Sequence, residues 1–181
     1  AAHGISVSCS GATIKYGTTS GSYTLTSSPT YTNVGTYTVY YQVTRTGYTT
    51  VTGSKTVVIS AKAATVTAAA QTITYGGSIS TGTSKATLTG QVSGHTLTAV
   101  TLTASTTSVT TSGKITPSAA TIKDGSGNDV TSNYNITYTA GTLTINAATL
   151  SVTANGYSGT YDGAAHGISV SCSGATIKYG T

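Results

Sequence analysis

Tyr37-Thr38-Val39-Tyr40-Tyr41-Gln42-Val43-Thr44 sets Tyr37, Val39, Tyr41 and Val43 at every second position. Successive side chains of an extended strand point to opposite faces, so this spacing gathers the four on one buried face and predicts a half-buried β-strand. Ile5-Ser6-Val7-Ser8-Cys9-Ser10 carries the same alternation, with Ile5, Val7 and Cys9 facing inward and the serines outward. Further strands are expected over 56–60, 64–68, 72–75, 97–102, 134–138, 143–145 and 150–154. Turn residues stand between them at Gly21, Ser28-Pro29, Asn33 to Gly35, Gly47, Gly53, Gly76-Gly77, Gly125 to Gly127, Gly141 and Asn155-Gly156. Strands this short, at a spacing of roughly 8 to 12 residues, point to sandwiches or related β domains.

Composition agrees. Thr (43) and Ser (24) supply over a third of the 181 residues, and because Thr is β-branched while the 22 Gly mark turns, the balance favours strands over helices. Val, Ile and Leu number only 31, which raises the question of disorder; disorder also calls for high net charge and few aromatics, and here charged residues are 6% and Tyr numbers 13. With no Phe, Trp or Met, the core must be built from Val, Ile, Leu, Ala and Tyr. The expectation is an all-β protein.

The net charge is +5, from eight basic residues and three aspartates with no Glu. The basic residues are scattered singly. A nucleic-acid footprint needs Lys and Arg clustered on one face, and a membrane-surface helix needs a basic stripe at helical spacing, so neither partner is expected. No stretch approaches the ~20 apolar residues of a membrane-spanning helix, so no membrane insertion is expected in this segment. Cys9 and Cys172 are the two cysteines and occupy the same place in successive copies of a repeat, which leaves no partner within a copy and no disulfide framework. Scarce cysteine suits an exported protein, whose leader and wall anchor are expected to lie outside these residues.

The repeat is read directly. Residues 1–18, AAHGISVSCSGATIKYGT, return unchanged at 164–181, an offset of 163 positions. Surface positions drift where only a fold is retained, so full identity points to recent duplication or homogenisation, and the chain reads as one period of a tandem array plus the start of the next. Two Ala-rich seams, Ser60-Ala61-Lys62-Ala63-Ala64 and Asn146-Ala147-Ala148, divide the period. They predict a β domain over 1–61 that lacks its first strand, a second over 62–147, and the first strands of the next repeat over 148–181. The architecture expected is tandem small β-sandwich (Ig-like) or β-grasp-like domains stacked head to tail. A domain missing one strand exposes unpaired N–H and C=O groups, so Leu150, Val152, Tyr157 and Tyr161 are candidates for strand pairing with a neighbouring copy. The copies are joined either in one continuous array or by strand addition between subunits.

Tyr161-Asp162-Gly163 with Ala165-His166-Gly167, together with Val34-Gly35-Thr36-Tyr37-Thr38-Val39, resembles the YDG family of bacterial surface-protein repeats. Tyr75-Gly76-Gly77, then Asp129-Val130-Thr131, Asn133-Tyr134 and Gly141-Thr142-Leu143-Thr144-Ile145, resembles the MBG domain of YGX type found in tandem in large bacterial adhesins. Together the two cover essentially the whole chain. The second departs from its pattern at Ser112-Gly113-Lys114-Ile115, where no Gly-Thr-Tyr strand entry stands, which leaves strand order open there. The resemblance implies an extracellular array on the bacterial cell surface and brings no catalytic residues with it.

Several constellations invite chemistry. Asp124, Ser126, Asn128 and Asp129 place oxygen side chains along a Gly-rich loop as a calcium loop would, but an EF-hand needs Gly sixth and Glu twelfth, and Asp129 and Asn135 stand there. A turn that caps its own backbone is the simpler expectation. Asp162 and His166, four apart, invite a hydrolase reading; no G-x-S-x-G nucleophile turn occurs, and His166 shares parity with Ile168, Val170 and Cys172, so a partly buried strand-entry histidine is expected. His95, after Gly94, is expected in solvent. Cys9 is expected as an inert core thiol that resists labelling; a thioester would need Gln42, Gln71 or Gln91 beside it. A Lys–Asn isopeptide bond would need a buried acid, and Asp124, Asp129 and Asp162 all read as turn residues. Recurrent Thr-x-Thr, as in Thr72-Ile73-Thr74, is too irregularly spaced for an ice-binding ladder, and the Asn135-Ile136-Thr137 sequon falls inside a strand.

The function expected is a non-enzymatic structural repeat with no cofactor: a long surface stalk or extracellular filament that projects an adhesive tip. Strands of about 6 to 10 residues at ~3.3 Å each give domains of roughly 30 to 40 Å, so a copy adds roughly 70 Å of reach. The partners expected are neighbouring copies of the repeat. The alternative is a multivalent adhesin module in which Tyr23, Tyr40 and Tyr48 hold host or microbial surface glycans or mucins and repetition supplies avidity.

Overall fold

In the computed structural model, which describes residues 1–180, the alternation of the 37–44 stretch is obeyed: Val39 is fully buried, and Tyr37 and Tyr41 pack beside it. These residues lie in β2 (Gly35–Thr44), the middle strand of an antiparallel sheet whose edges are β1 (Thr13–Gly17) and β3 (Val51–Ile59). Tyr16, Val39 and Val57 form the core, with Ile5, Val7, Ile14, Tyr31 and Ile59 packed against it. The expected turn at Gly53 is instead inside β3. Gly53 faces Tyr41 across the ladder, and a Cβ there would stand 2.5 Å from the phenol oxygen, so this glycine permits a close approach rather than a reversal.

The expected strand over 5–10 does not form. Ile5 and Val7 turn inward as the alternation requires, but their stretch joins no ladder among the described residues, and the adjoining backbone pairing is His3 with Tyr31. Cys9 is exposed rather than buried. The chain reverses there, with the Ala12 N–H donating to the Cys9 carbonyl at 3.3 Å, and the turn carries the thiol off the inward face.

Residues 62–146 supply two further sheets. In one, β4 (Lys62–Ala68) lies between β6 (Ala86–Thr89), antiparallel, and β9 (Tyr134–Thr139), parallel; in the other the order is β5 (Gln71–Thr74), β10 (Gly141–Asn146), β8 (Thr110–Lys123) and β7 (Thr96–Ala104). β10 runs parallel to β5 and antiparallel to β8. Single 3-10 turns stand at Thr83–Lys85 and Thr131–Asn133. Ala68 of β4 packs with Leu102, Ile115, Leu143 and Ile145 of the larger sheet, and Ala64, Ile122 and Tyr134 form a second cluster. β8, the longest strand, buries Gly113, Ile115 and Pro117 in alternation. At Ala119, whose φ is 48°, the alternation slips by one and continues with Ala120 and Ile122, beside a register break against β7.

The last sheet pairs β11 (Thr153–Asn155) with β12 (Ser169–Ser171) antiparallel. The strand expected over 150–154 is thus displaced: Leu150 and Val152 lie before the ladder, and Asn155, expected in a turn, lies within it. Among the described residues no helix is long and apolar enough to cross a membrane.

Candidate functional site

The 124–129 loop directs its oxygens at its own backbone. Asp124 Oδ1 accepts the N–H groups of Ser126 and Asn128, each at 2.9 Å, and Oδ2 accepts the Asn128 amide at 3.0 Å. Gly127, at φ 85°, lets its N–H reach the Asp124 carbonyl at 3.0 Å. The Asn128 amide and N–H hold the Asp124 carboxyl below its ordinary pKa, and the Thr131 hydroxyl and N–H do the same for Asp129. Both carboxylates therefore act as caps for turn backbone. Among the described residues no three His, Cys, Asp or Glu side chains group closely enough to hold a metal ion.

Asp162 and His166 do meet. His166 Nε2 donates to Asp162 Oδ1 at 2.8 Å and lies 3.0 Å from Oδ2, and Oδ1 also accepts the Ala164 N–H at 2.9 Å. The Ala164 N–H and then His166 lower the Asp162 pKa. The His166 ring stacks on Tyr157, centroids 3.6 Å apart and planes within 3°. His166 stands three positions before β12, and its side chain is 31% exposed; the cover comes from Tyr157 and Asp162, since no core cluster includes it. With the Ala164 N–H on the same carboxylate, the pair closes the turn that leads into β12.

His95 is half-buried rather than in solvent, a correction. Its Nδ1 lies 2.7 Å from the Tyr134 hydroxyl, which also accepts the Val92 N–H at 3.0 Å. Sequence proximity gives no hint of this bond, whose ends are 39 positions apart. His95 and Tyr134 line a cleft of about 440 Å3 together with His3, Asn33, Lys62 and Asp124. Beside it Asn133 Oδ1 accepts the Val34 N–H at 2.7 Å and its amide donates to Asn33 Oδ1 at 3.1 Å, tying the first sheet's loop to the second part of the chain.

The residues singled out for strand pairing are open to solvent: Leu150 is 64% exposed, Val152 56%, Tyr157 51% and Tyr161 97%. Cys9 lines a small groove with Ala12, Val43, Arg45, Tyr48 and Val51 and has no glutamine in its wall. Gln71 instead exchanges two bonds with the Ser80 backbone, at 2.9 and 2.7 Å. No ring contact gathers Tyr23, Tyr40 and Tyr48 among the described residues, although the Arg45 guanidinium lies 4.8 Å over the exposed Tyr48 ring.

Compared with known proteins, the chain matches no family model and no curated sequence.

Proposed function

We propose that this chain is a non-enzymatic structural repeat: two small Ig-like or β-grasp-like domains per 163 residues, stacked head to tail into a bacterial cell-surface stalk or extracellular filament that projects an adhesive tip. The observation that carries the reading is the unchanged return of residues 1–18 at 164–181. Tandem copies whose units each pack on their neighbours build extended arrays, so repetition adds length. The motifs resembling YDG-type and MBG repeats support the same reading.

Chains of one, two and three 163-residue periods test it by small-angle scattering. The maximum dimension is expected to grow by equal steps of roughly 70 Å per period, the length implied by ~3.3 Å per strand residue. Growth only as the cube root of mass would overturn the stalk. Multivalent glycan binding is the alternative, and the observation for it is the exposed Tyr48 ring with Arg45 over it. A glycan array probed with the three-period chain and with its Tyr48→Ala variant decides that point: binding that the substitution abolishes supports it, and no bound glycan removes it.

A further inference from the structure

Of the six asparagines in the chain, only Asn135 stands two positions before a hydroxyl residue, in Asn135-Ile136-Thr137. That spacing is the acceptor pattern for an N-linked sugar, and it has meaning only at the surface. A place inside a strand hides such a pattern where both faces and both edges of the strand are covered. β9 keeps one face and one edge open: it ends the order β6-β4-β9 and pairs with β4 alone among the described residues.

The strand divides its residues by parity. Tyr134 and Ile136 belong to the cluster around Ala64 and Ile122, the Tyr134 hydroxyl accepts the Val92 N–H, and the Tyr138 hydroxyl accepts the Ala120 N–H at 3.0 Å. The even row therefore holds β9 to the body. Asn135, Thr137 and Thr139 take the opposite face, and all three are exposed. Extended backbone sets residues two apart on one side, so the Asn135 carboxamide and the Thr137 hydroxyl are presented together. Their neighbours across the ladder are small: Ala63 lies opposite Asn135 and Thr65 opposite Thr137, with Thr89 of β6 opposite Thr65. A sugar on Asn135 would thus lie over a methyl group and threonine hydroxyls and displace no core residue. None of the six residues of β9 is charged or a proline, the side chains that ordinarily guard an open edge, and a bulky sugar beside the edge supplies that guard.

We propose that Asn135 is an N-glycosylation acceptor, taking a sugar from a glycosyl diphosphate donor on the open face of β9. The Asn135 carboxamide nitrogen bonds to the anomeric carbon, and the bond from that carbon to the donor's phosphate oxygen breaks. The phosphate leaves with the electron pair and the amide nitrogen gives up one proton, so nothing is oxidised or reduced. The site does not depend on the stalk; in a stack of repeats it recurs once in each 163-residue period.

The test uses the full chain in two arms that separate the two kinds of donor. In one, the folded chain is incubated with UDP-glucose and a soluble N-glycosyltransferase; in the other, it is co-expressed with an oligosaccharyltransferase and its lipid-diphosphate oligosaccharide. Peptide mass spectrometry is expected to find the sugar on Asn135 in at least one arm. Asn135→Gln is expected to abolish the product, Thr137→Ala to lower it at least tenfold and Thr137→Ser to retain it. Both positions are exposed, so these variants are expected to keep the urea midpoint of the parent chain. Modification in neither arm, or modification of Asn135 indifferent to Thr137→Ala, overturns the proposal. So does a first arm that yields product only after the chain is unfolded in urea, because the face would then not be open. The glycosylated chain is expected to unfold at the same urea concentration as the bare one, and a lower midpoint would show the sugar pressing on the fold and overturn the placement.

Discussion

Gly141 opens β10 against the turn that follows β4, and a Cβ placed on it would stand 2.5 Å from the Ala68 carbonyl oxygen and 2.6 Å from that of Ala69. Both neighbours are backbone, which cannot swing aside as a side-chain tip can. Gly141→Ala is therefore expected to cost about 1–3 kcal/mol as an overpacking strain, read as a lower urea midpoint with an unchanged slope. An unaltered midpoint would show that the close approach is not maintained in solution. Charge acts at the same scale in the 124–129 loop. The Asp124 pKa lies below its ordinary 3.8, chiefly through the Asn128 amide. A folded value below the unfolded one means that this carboxylate contributes stability above 3.8, and that the contribution is lost as pH falls through the lower folded value. Carbon-detected NMR titration is expected to place the Asp124 midpoint below 3.8 and to move it upward in Asn128→Ala. A midpoint that ignores the substitution would assign the shift to some other group.

At the scale of the element, β8 decides how the second part of the chain holds together, since it lies between β7 and β10 and sends Ile115 into one cluster and Ile122 into the other. Ile115 is fully buried, so Ile115→Ala is expected to cost about 2–5 kcal/mol by the cavity it leaves. The first sheet's cluster of Tyr16, Val39 and Val57 shares no residue with it. Amide signals of 35–59 should then survive at urea concentrations that remove those of 62–146; loss of both sets at one midpoint would mean a single cooperative core. β8 is also where the sequence is hardest to read. Gly113 and Pro117 stand at buried positions where a β-branched residue would announce a strand, and the slip at Ala119 breaks the period of two. Strands such as 37–44, 134–138 and 143–145 were legible because each keeps its alternation unbroken. At 5–10 the alternation named the inward side of Ile5 and Val7 correctly, but alternation records which face is buried and not whether a neighbouring strand exists, and it is blind to the turn that exposes Cys9. The Asp124 cap was legible because its partners lie within four residues. His95 was not, because Tyr134 is 39 positions away.

For the whole molecule the relevant residue is Asn133, at the end of a single 3-10 turn, whose side chain accepts from Val34 and donates to Asn33 across sequence separations of 99 and 100. These two bonds join a loop of the first sheet to the start of β9 without using any core residue. Along the backbone the link between the two parts is equally short, since β3 ends at Ile59 and β4 begins at Lys62. A stalk needs its successive parts held at a fixed angle, because free rotation at each joint makes reach grow with the square root of copy number rather than linearly. Asn133→Ala removes both bonds and leaves the Val34 N–H to water, so neither core loses a contact. The expected result is an unchanged urea midpoint for both parts together with a broader distance distribution between spin labels at the exposed positions Thr52 and Ser108. A distribution as narrow as that of the unmodified chain would assign the rigidity to the two-residue link and its backbone alone, and a fall in either midpoint would make Asn133 part of a core rather than a joint.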